Sequence, residues 1–130
     1  MVTAAINGFA KSGKKAIFAV LLKDGLGHEM SKVVPLESKS IYLAELAALK
    51  YALLAISNKE VEVEVMTSMK HLPTLFVKTA GEWTKTNIGY KKLVGELRTL
   101  SEQFLSFECK LDTKSDDVQS VRKTTRDYYN

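Results

Sequence analysis

The chain has 130 residues, enough for one hydrophobic core and too few for two, so we expect a single domain over residues 1–130. Its 45% hydrophobic and 26% charged residues are typical of a globular protein, and no apolar run reaches the length of a membrane span. The first residues lack the pattern of a secretory signal, which predicts a cytoplasmic protein with no membrane partner. A net charge of +4 permits a polyanionic partner without demonstrating one.

Three strands are predicted in the first third of the chain. Residues 2–9 form the first strand, and residues 16–22 form a continuous apolar run that suits a strand covered on both faces. A turn signal with two glycines, Gly25 and Gly27, precedes a third strand at residues 29–36. Short turns between consecutive strands predict an antiparallel meander.

Residues 41–56 form the clearest predicted helix, and Glu45 is its most informative residue. Ser40 is a good amino-terminal cap. Helical spacing places Glu45 in an otherwise apolar row with Ile41, Ala48, Leu49 and Ala52, on the side of the helix that faces the core. A buried, unpartnered carboxylate costs several kcal/mol, so we expect a cation, a metal or a hydrogen-bond donor beside it. The alternative is a glutamate at the core rim whose carboxylate reaches solvent.

The rest of the chain adds two strands and three helical segments. Residues 61–65 alternate between valine and glutamate, which predicts a strand with one solvated face that extends through Thr67. Residues 69–77 are predicted to be a short helix or turn, residues 88–105 an amphipathic helix, residues 107–111 a fifth strand, and residues 118–129 a helical tail. The lone Cys109 is most simply a core residue on that fifth strand. A helix that connects antiparallel and later strands favours a crossover, hence an α/β fold with a five-stranded mixed sheet flanked by helices.

This order of elements, with a glutamate in the first helix, resembles the ribonuclease H-like fold. Residues 6–10 are similar to the family's first-strand motif T-D-G-S, with Asn7 in the place of the aspartate. Residues 44–49 are similar to its helix motif A-E-x-x-A-L, which contains Glu45, and Thr67 occupies the place of the aspartate in T-D-S. Residues 81–93 are similar to the family's G-W and V-x-N-x-D-L segment. The resemblance therefore spans essentially the whole chain.

The tail is similar to the family pattern V-x-R-x-x-N-x-x-A-D-x-L through Val118 and Asp127, with Tyr129 as a further match. This alignment places Asp127 on the last catalytic carboxylate. Other tail residues depart from the pattern, which leaves Asp116 or Asp117 as alternatives.

Members of the family cleave the RNA strand of an RNA/DNA hybrid, and four carboxylates hold two divalent metals, Mg²⁺ or Mn²⁺. The resemblance implies that the catalytic positions of this chain are Asn7, Glu45, Thr67 and Asp127, of which Glu45 and Asp127 keep a metal-binding carboxylate. Two lost charges weaken such a site by several kcal/mol, at roughly 4 kcal/mol per close charge pair. We therefore expect impaired catalysis, with Mg²⁺ or Mn²⁺ as cofactor only if activity survives. A laboratory Asp-to-Asn change is an alternative origin of Asn7, but it leaves Thr67 unexplained.

The resemblance also suggests residues that contact nucleic acid. Lysines near the segment that forms a basic handle in bacterial members are candidate phosphate contacts, and two tyrosines are candidates for stacking on a sugar or base. The alternatives are solvated lysines and packed tyrosines. A further basic group in the tail includes Arg122, Lys123 and Arg126, and the basic groups form either one stripe or three separate surfaces. The candidate nucleic-acid-binding residues are Lys14, Lys15, Tyr42, Lys85, Tyr90, Lys91 and Lys92.

Three functions follow from the sequence. The first is a catalytically impaired domain that binds nucleic acid, as an RNA/DNA hybrid or a duplex, or a protein partner. The second is an active metal-dependent hybrid endoribonuclease whose site is completed by Asp112, Asp116 or Asp117. The third is a structural interaction domain similar to the connection domain of reverse transcriptases. For the first function we expect Glu45 to face Asn7 across the gap between helix and sheet, with Lys70 as its charge partner.

Overall fold

The computed structural model describes residues 1–75 and 90–129, in which five strands form one sheet. The strands are β1 (Val2–Phe9), β2 (Ile17–Lys23), β3 (Glu29–Pro35), β4 (Glu62–Thr67) and β5 (Ser106–Leu111). The helices are α1 (Ile41–Ala55), α2 (Leu72–Leu75), α3 (Lys91–Ser101) and α4 (Asp116–Asp127).

The sheet has the order β3-β2-β1-β4-β5. β1, β2 and β3 are antiparallel neighbours, whereas β4 lies parallel to both β1 and β5. A parallel neighbour of β1 requires a crossover connection, and α1 supplies it. The predicted mixed sheet is confirmed, and in it the strands of Asn7 and Thr67 are adjacent and interior.

Successive residues of β1 face opposite layers of the molecule. Ala4 and Ile6 belong to the main core, formed with α1 and α3, whereas Ala5 belongs to a smaller core under α4. Because side chains alternate along a strand, Gly8 faces α1 and Asn7 faces α4. This alternation decides which partner each residue of the predicted site can reach.

α4 packs on β1 and β2 and is anchored at its start. The Ser115 hydroxyl accepts the amide N–H of Val118 at 3.2 Å, and Lys23 forms a 2.7 Å ion pair with Asp117. On β4 the helix covers Met66, which packs with Val118 and Val121, but it leaves Glu64 partly exposed and Glu108 exposed, and these two residues are opposite each other in the register. This polar surface explains the alternating glutamates of the fourth strand.

Several element boundaries differ from prediction. The fourth helix starts two residues earlier than expected and ends at Asp127. α3 ends at Ser101 rather than residue 105, and its predicted first residues lie outside the described ranges. Cys109 lies on β5 and packs, partly buried, against the main core as predicted. Among the helices of the described ranges, none has the length and apolar character needed to cross a membrane.

Candidate functional site

A cleft of about 300 Å³ opens where the parallel strands β1 and β4 reach their carboxyl ends. Crevices at the carboxyl ends of parallel strands are the usual ligand sites of α/β sheets. The cleft contains two of the predicted site residues, Asn7 and Glu45. Its full lining is Asn7, Gly8, Phe9, Ile41, Glu45, Ser68, Met69, Arg122 and Arg126.

Glu45 lies at the inner end of this cleft with only 1% of its surface exposed, so its predicted burial is confirmed. One carboxylate oxygen accepts the backbone N–H of Gly8, and the other accepts the hydroxyl of Thr67 at 2.5 Å. Thr67 in turn accepts the N–H of Met69 at 3.0 Å. Two neutral donors therefore satisfy this carboxylate.

Gly8 makes the contact with Glu45 possible because it has no side chain. A Cβ atom at this position would lie 2.7 Å from the backbone nitrogen of Glu45 and 2.9 Å from the carbonyl oxygen of Ile41. Both contacts are with helix backbone, which cannot turn aside as a flexible side chain can. The glycine of the first-strand motif therefore has a structural role, the close approach of β1 to α1.

Burial raises the pKa of Glu45 from 4.5 to about 7, and the hydrogen bonds from Thr67 and Gly8 only partly offset the loss of water. The expected charge partner, Lys70, does not have this role. Lys70 is exposed, and the groups that hold the carboxylate are the N–H of Gly8 and the hydroxyl of Thr67. Because burial removes water from it, the carboxylate ionises less readily than an ordinary glutamate.

The sequence led us to expect that Asn7 faces Glu45 across the gap between α1 and the sheet. This prediction is wrong. The amide nitrogen of Asn7 donates to the hydroxyl of Thr125 at 2.7 Å, and its carbonyl oxygen accepts the hydroxyl of Ser68 at 3.2 Å. The reason is the strand alternation, which turns Asn7 toward α4 and Gly8 toward α1. Asn7 and Glu45 nevertheless line the same cleft.

On α4 the structure places Thr125, not Asp127, beside Asn7. Thr125 is fully buried, together with Val118 and Val121, whereas Asp127 is exposed. A helix turns about 100° per residue, so Asp127 lies about half a turn from Val118 while Thr125 lies nearly in line with it. The described geometry therefore does not bring Asp127 into the cleft.

The three alternative aspartates are engaged elsewhere. Asp117 pairs with Lys23, and Asp116 is exposed in the first turn of the same helix. Thr125 is eight positions after Asp117 on the helix, which is about 12 Å along the axis. Asp112 accepts the backbone N–H groups of residues 114 and 115, both at 2.9 Å. None of the three lines the cleft.

Arg122 and Arg126 are cleft residues that the sequence-based site list omitted. They are exposed residues four positions apart, on the edge of α4 beside the buried Thr125. The spacing of Val118, Val121 and Thr125 defines the inner face of the helix, and both arginines flank that face. Helical periodicity was the signal that could have identified them.

This donor set does not fit two closely spaced divalent ions. Among the described residues that line the cleft, Glu45 is the only carboxylate, and both its oxygens already accept hydrogen bonds. Asn7 offers an amide oxygen without charge, and two arginines add positive charge. Within residues 1–75 and 90–129, no group of three or more His, Cys, Asp or Glu residues is placed to hold a metal. Hard cations need anionic oxygens to offset their mutual repulsion.

The basic candidates show different environments. Lys14 and the neighbouring pair Lys91 and Lys92 are exposed, whereas Lys15 forms a 2.8 Å ion pair with Glu37. Lys85 lies outside the described residues. Lys15 is therefore a weaker candidate for a phosphate contact than Lys14, Lys91 and Lys92, because a carboxylate already pairs with its charge.

Contacts between elements bring these basic segments to the same edge of the molecule as the cleft. The Tyr129 hydroxyl, just beyond α4, donates to the backbone oxygen of Lys15 at 2.7 Å. The rings of Tyr42 and Tyr90, with centroids 4.6 Å apart, join the start of α1 to the start of α3, and both tyrosines are half-buried. Their mutual contact supports packing as one role of these tyrosines.

Comparison with solved structures identifies the fold. RNase H1 from the archaeon Halobacterium salinarum NRC-1 superposes with a TM-score of 0.69 and 16% identity, covering 92% of each chain. The N-terminal RNase H domain of a Mycobacterium tuberculosis protein gives 0.72 and 15%, covering 99% of this chain and 98% of its own. LC11-RNase H1, solved in complex with an RNA/DNA hybrid, gives 0.70 and 15% over the whole of both chains. No family model and no curated protein matches the sequence. The chain has a ribonuclease H-like fold, as the resemblance implied.

Proposed function

We propose that this ribonuclease H-like domain binds nucleic acid, as an RNA/DNA hybrid or a duplex, and cleaves it poorly or not at all. The observation that carries the proposal is the composition of the cleft, where one carboxylate with both oxygens engaged lies beside two arginines. Such a cleft attracts a phosphate backbone, and it lacks the negative charge that holds two divalent ions. The four metal-binding positions implied by resemblance contribute one carboxylate to it, that of Glu45.

The distribution of positive charge supports a polyanionic ligand. Lys14, Lys91 and Lys92 are exposed at the edge of the molecule that also contains Arg122 and Arg126. A backbone that crosses this edge meets several cations in succession, and each phosphate that is neutralised releases counterions. This arrangement favours one basic stripe over three separate solvated surfaces.

The hybrid is the first ligand to test, since LC11-RNase H1, which has the same fold, was solved in complex with one. The proposed assay measures binding of labelled hybrid, DNA duplex and RNA duplex by fluorescence anisotropy in EDTA, at salt concentrations between about 50 and 200 mM. We expect hybrid binding that weakens steeply with salt. In parallel, the same hybrid is incubated with Mg²⁺ or Mn²⁺ and analysed for cleavage, for which we expect negligible product.

Two results would overturn the proposal. Efficient cleavage by the unmodified chain, abolished by Glu45→Gln, would establish the active endoribonuclease instead. Absence of salt-dependent binding to every nucleic acid tested would leave the protein-interaction domain as the remaining function. The cytoplasmic location expected from the sequence stays a prediction, which localisation of a fluorescent fusion would test.

A further inference from the structure

We infer that Arg122 and Arg126 hold a phosphodiester group of the bound strand in the cleft, with no divalent metal between protein and phosphate. This inference rests on the proposed nucleic-acid binding and adds which residues hold the backbone there. The resemblance implies a site where carboxylates of the protein hold metal ions. Here cations of the protein itself take the place of the metal ions.

The two arginines are fixed in position by the way α4 is docked. Thr125, between them in sequence, bonds to Asn7 at 2.7 Å, and Tyr129 attaches the end of the helix to the β1–β2 turn. At the other end, the Lys23–Asp117 ion pair holds the first turn. The helix therefore presents both guanidinium groups at the cleft from a backbone that is anchored along its whole length.

The guanidinium groups are available for an anion. Among the described residues, neither group forms an ion pair or a hydrogen bond with another side chain. Residues four apart on a helix are neighbours, so these like charges repel each other unless an anion lies between them. Guanidinium groups bind phosphate through two parallel N–H···O bonds, which a single phosphodiester can satisfy from both sides.

Glu45 does not compete for the arginines. It is buried, and its oxygens are turned to Gly8 and Thr67. The other polar side chains that line the cleft are the neutral Asn7 and Ser68, which bond to each other, and the two arginines. A phosphate that enters the cleft meets two cations and uncharged polar groups before it meets a carboxylate.

The test compares two double variants that lose the same charge. R122Q/R126Q removes the cleft arginines, and K32Q/K114Q removes two exposed lysines that do not line the cleft. Binding to labelled hybrid is measured in EDTA over a range of salt. We expect R122Q/R126Q to bind at least about tenfold more weakly than K32Q/K114Q, with a salt slope lower by about 1 to 2. R122K/R126K, which keeps the charge without the fork geometry, should lie between them.

Each outcome has a separate meaning. If the unmodified protein binds no nucleic acid, the proposed function fails as well; if it binds and R122Q/R126Q weakens no more than K32Q/K114Q, only the present inference fails. Affinity that rises more than about tenfold on adding Mg²⁺ at constant ionic strength would overturn the metal-free contact.

A separate experiment uses inorganic phosphate as the only ligand. Its binding is detected through the side-chain N–H signals of the arginines. Arginine-dependent phosphate binding with unchanged hybrid affinity in R122Q/R126Q would assign the cleft to free phosphate and overturn the inference. Thermal melts confirm that each variant is folded, and R122K/R126K provides the comparison if the glutamine pair is not.

Discussion

The side-chain amide of Asn7 donates a 2.7 Å hydrogen bond to the hydroxyl of Thr125, joining residues that are 118 positions apart in the chain. Both side chains are buried, and Thr125 is fully so. It links the end of β1 to the last turns of α4 and sets the position of the two cleft arginines. The residue in place of the family's first aspartate therefore has a structural partner of its own.

Thr125→Val should lower the free energy of unfolding by about 1–3 kcal/mol, because it leaves the buried amide nitrogen of Asn7 without an acceptor. Thr124→Val is the matched control, since it makes the same substitution at the adjacent, exposed position. Urea unfolding followed by circular dichroism measures both. Equal losses for the two variants would show that the Asn7–Thr125 bond contributes nothing to stability.

Gly8→Ala should destabilise the fold by about 1–3 kcal/mol, since the added methyl group meets α1 backbone atoms at 2.7 and 2.9 Å. Gly95→Ala is the control within a helix, where nothing lies within 4 Å of an added Cβ. That change should stabilise the protein by up to about 1 kcal/mol, because alanine is the better helix former. Thermal melts that rank the two variants in the opposite order would contradict the close approach of β1 to α1.

The stability difference between Glu45→Gln and the unmodified protein should depend on pH. The pKa of Glu45 is about 7 in the folded protein against an ordinary 4.5, so between these values the folded state holds a proton that the unfolded chain has lost. The contribution of Glu45 is fully present below pH 4.5 and is lost as pH rises through about 7, by a total of about 3 kcal/mol. Glu45→Gln lacks this loss, so its stability relative to the unmodified protein should rise over that window. Urea unfolding at pH 4.5, 6 and 8 measures it, and a constant difference would mean that Glu45 ionises normally.

Asn7→Asp and Thr67→Asp together should improve Mg²⁺ binding more than the sum of the single changes, because affinity depends on the combined charge of neighbouring carboxylates. Without metal, the double variant should be less stable than the unmodified protein, since three carboxylates then repel one another. Added Mg²⁺ should restore stability by mass action, as a ligand of the folded state alone. Calorimetric titration and melts with and without Mg²⁺ measure both effects. Adding Glu45→Gln to the double variant should abolish the gain in Mg²⁺ binding. If the gains of the two single variants add up to the gain of the double variant, the site is not cooperative.

The fold was predictable from the sequence because its periodicities are strong. The alternation of residues 61–65 and the apolar row around Glu45 come directly from the geometry of strands and helices. Both patterns arise because one side of the strand or helix is buried in the folded protein, so they carry information about the tertiary structure. The outcome is a sheet and a buried glutamate that agree with the structure.

The partners of the site residues were harder to predict, for two physical reasons. A backbone N–H has no sequence signature, so the sequence did not reveal that Gly8 donates to Glu45. A lysine side chain was expected as the partner of Glu45 instead. The tail was aligned by motif, which favoured Asp127, whereas the spacing of buried residues on α4 favours Thr125. Helical phase is a stronger constraint than a partial motif, because one face of the helix must pack on the sheet.

The exposed glutamates of β4 and β5 have a consequence for how a polyanion approaches. Glu62, Glu64 and Glu108 lie on this half of the sheet, and Lys110 pairs with Glu64 at 2.9 Å. The arginines and most exposed lysines of the site lie at the other edge, where β1 ends. Because a duplex repels acidic groups and attracts basic ones, this separation of charge favours an approach with the cleft facing the duplex. Orientation during the encounter, and not only affinity after it, would then depend on glutamates that never touch the ligand.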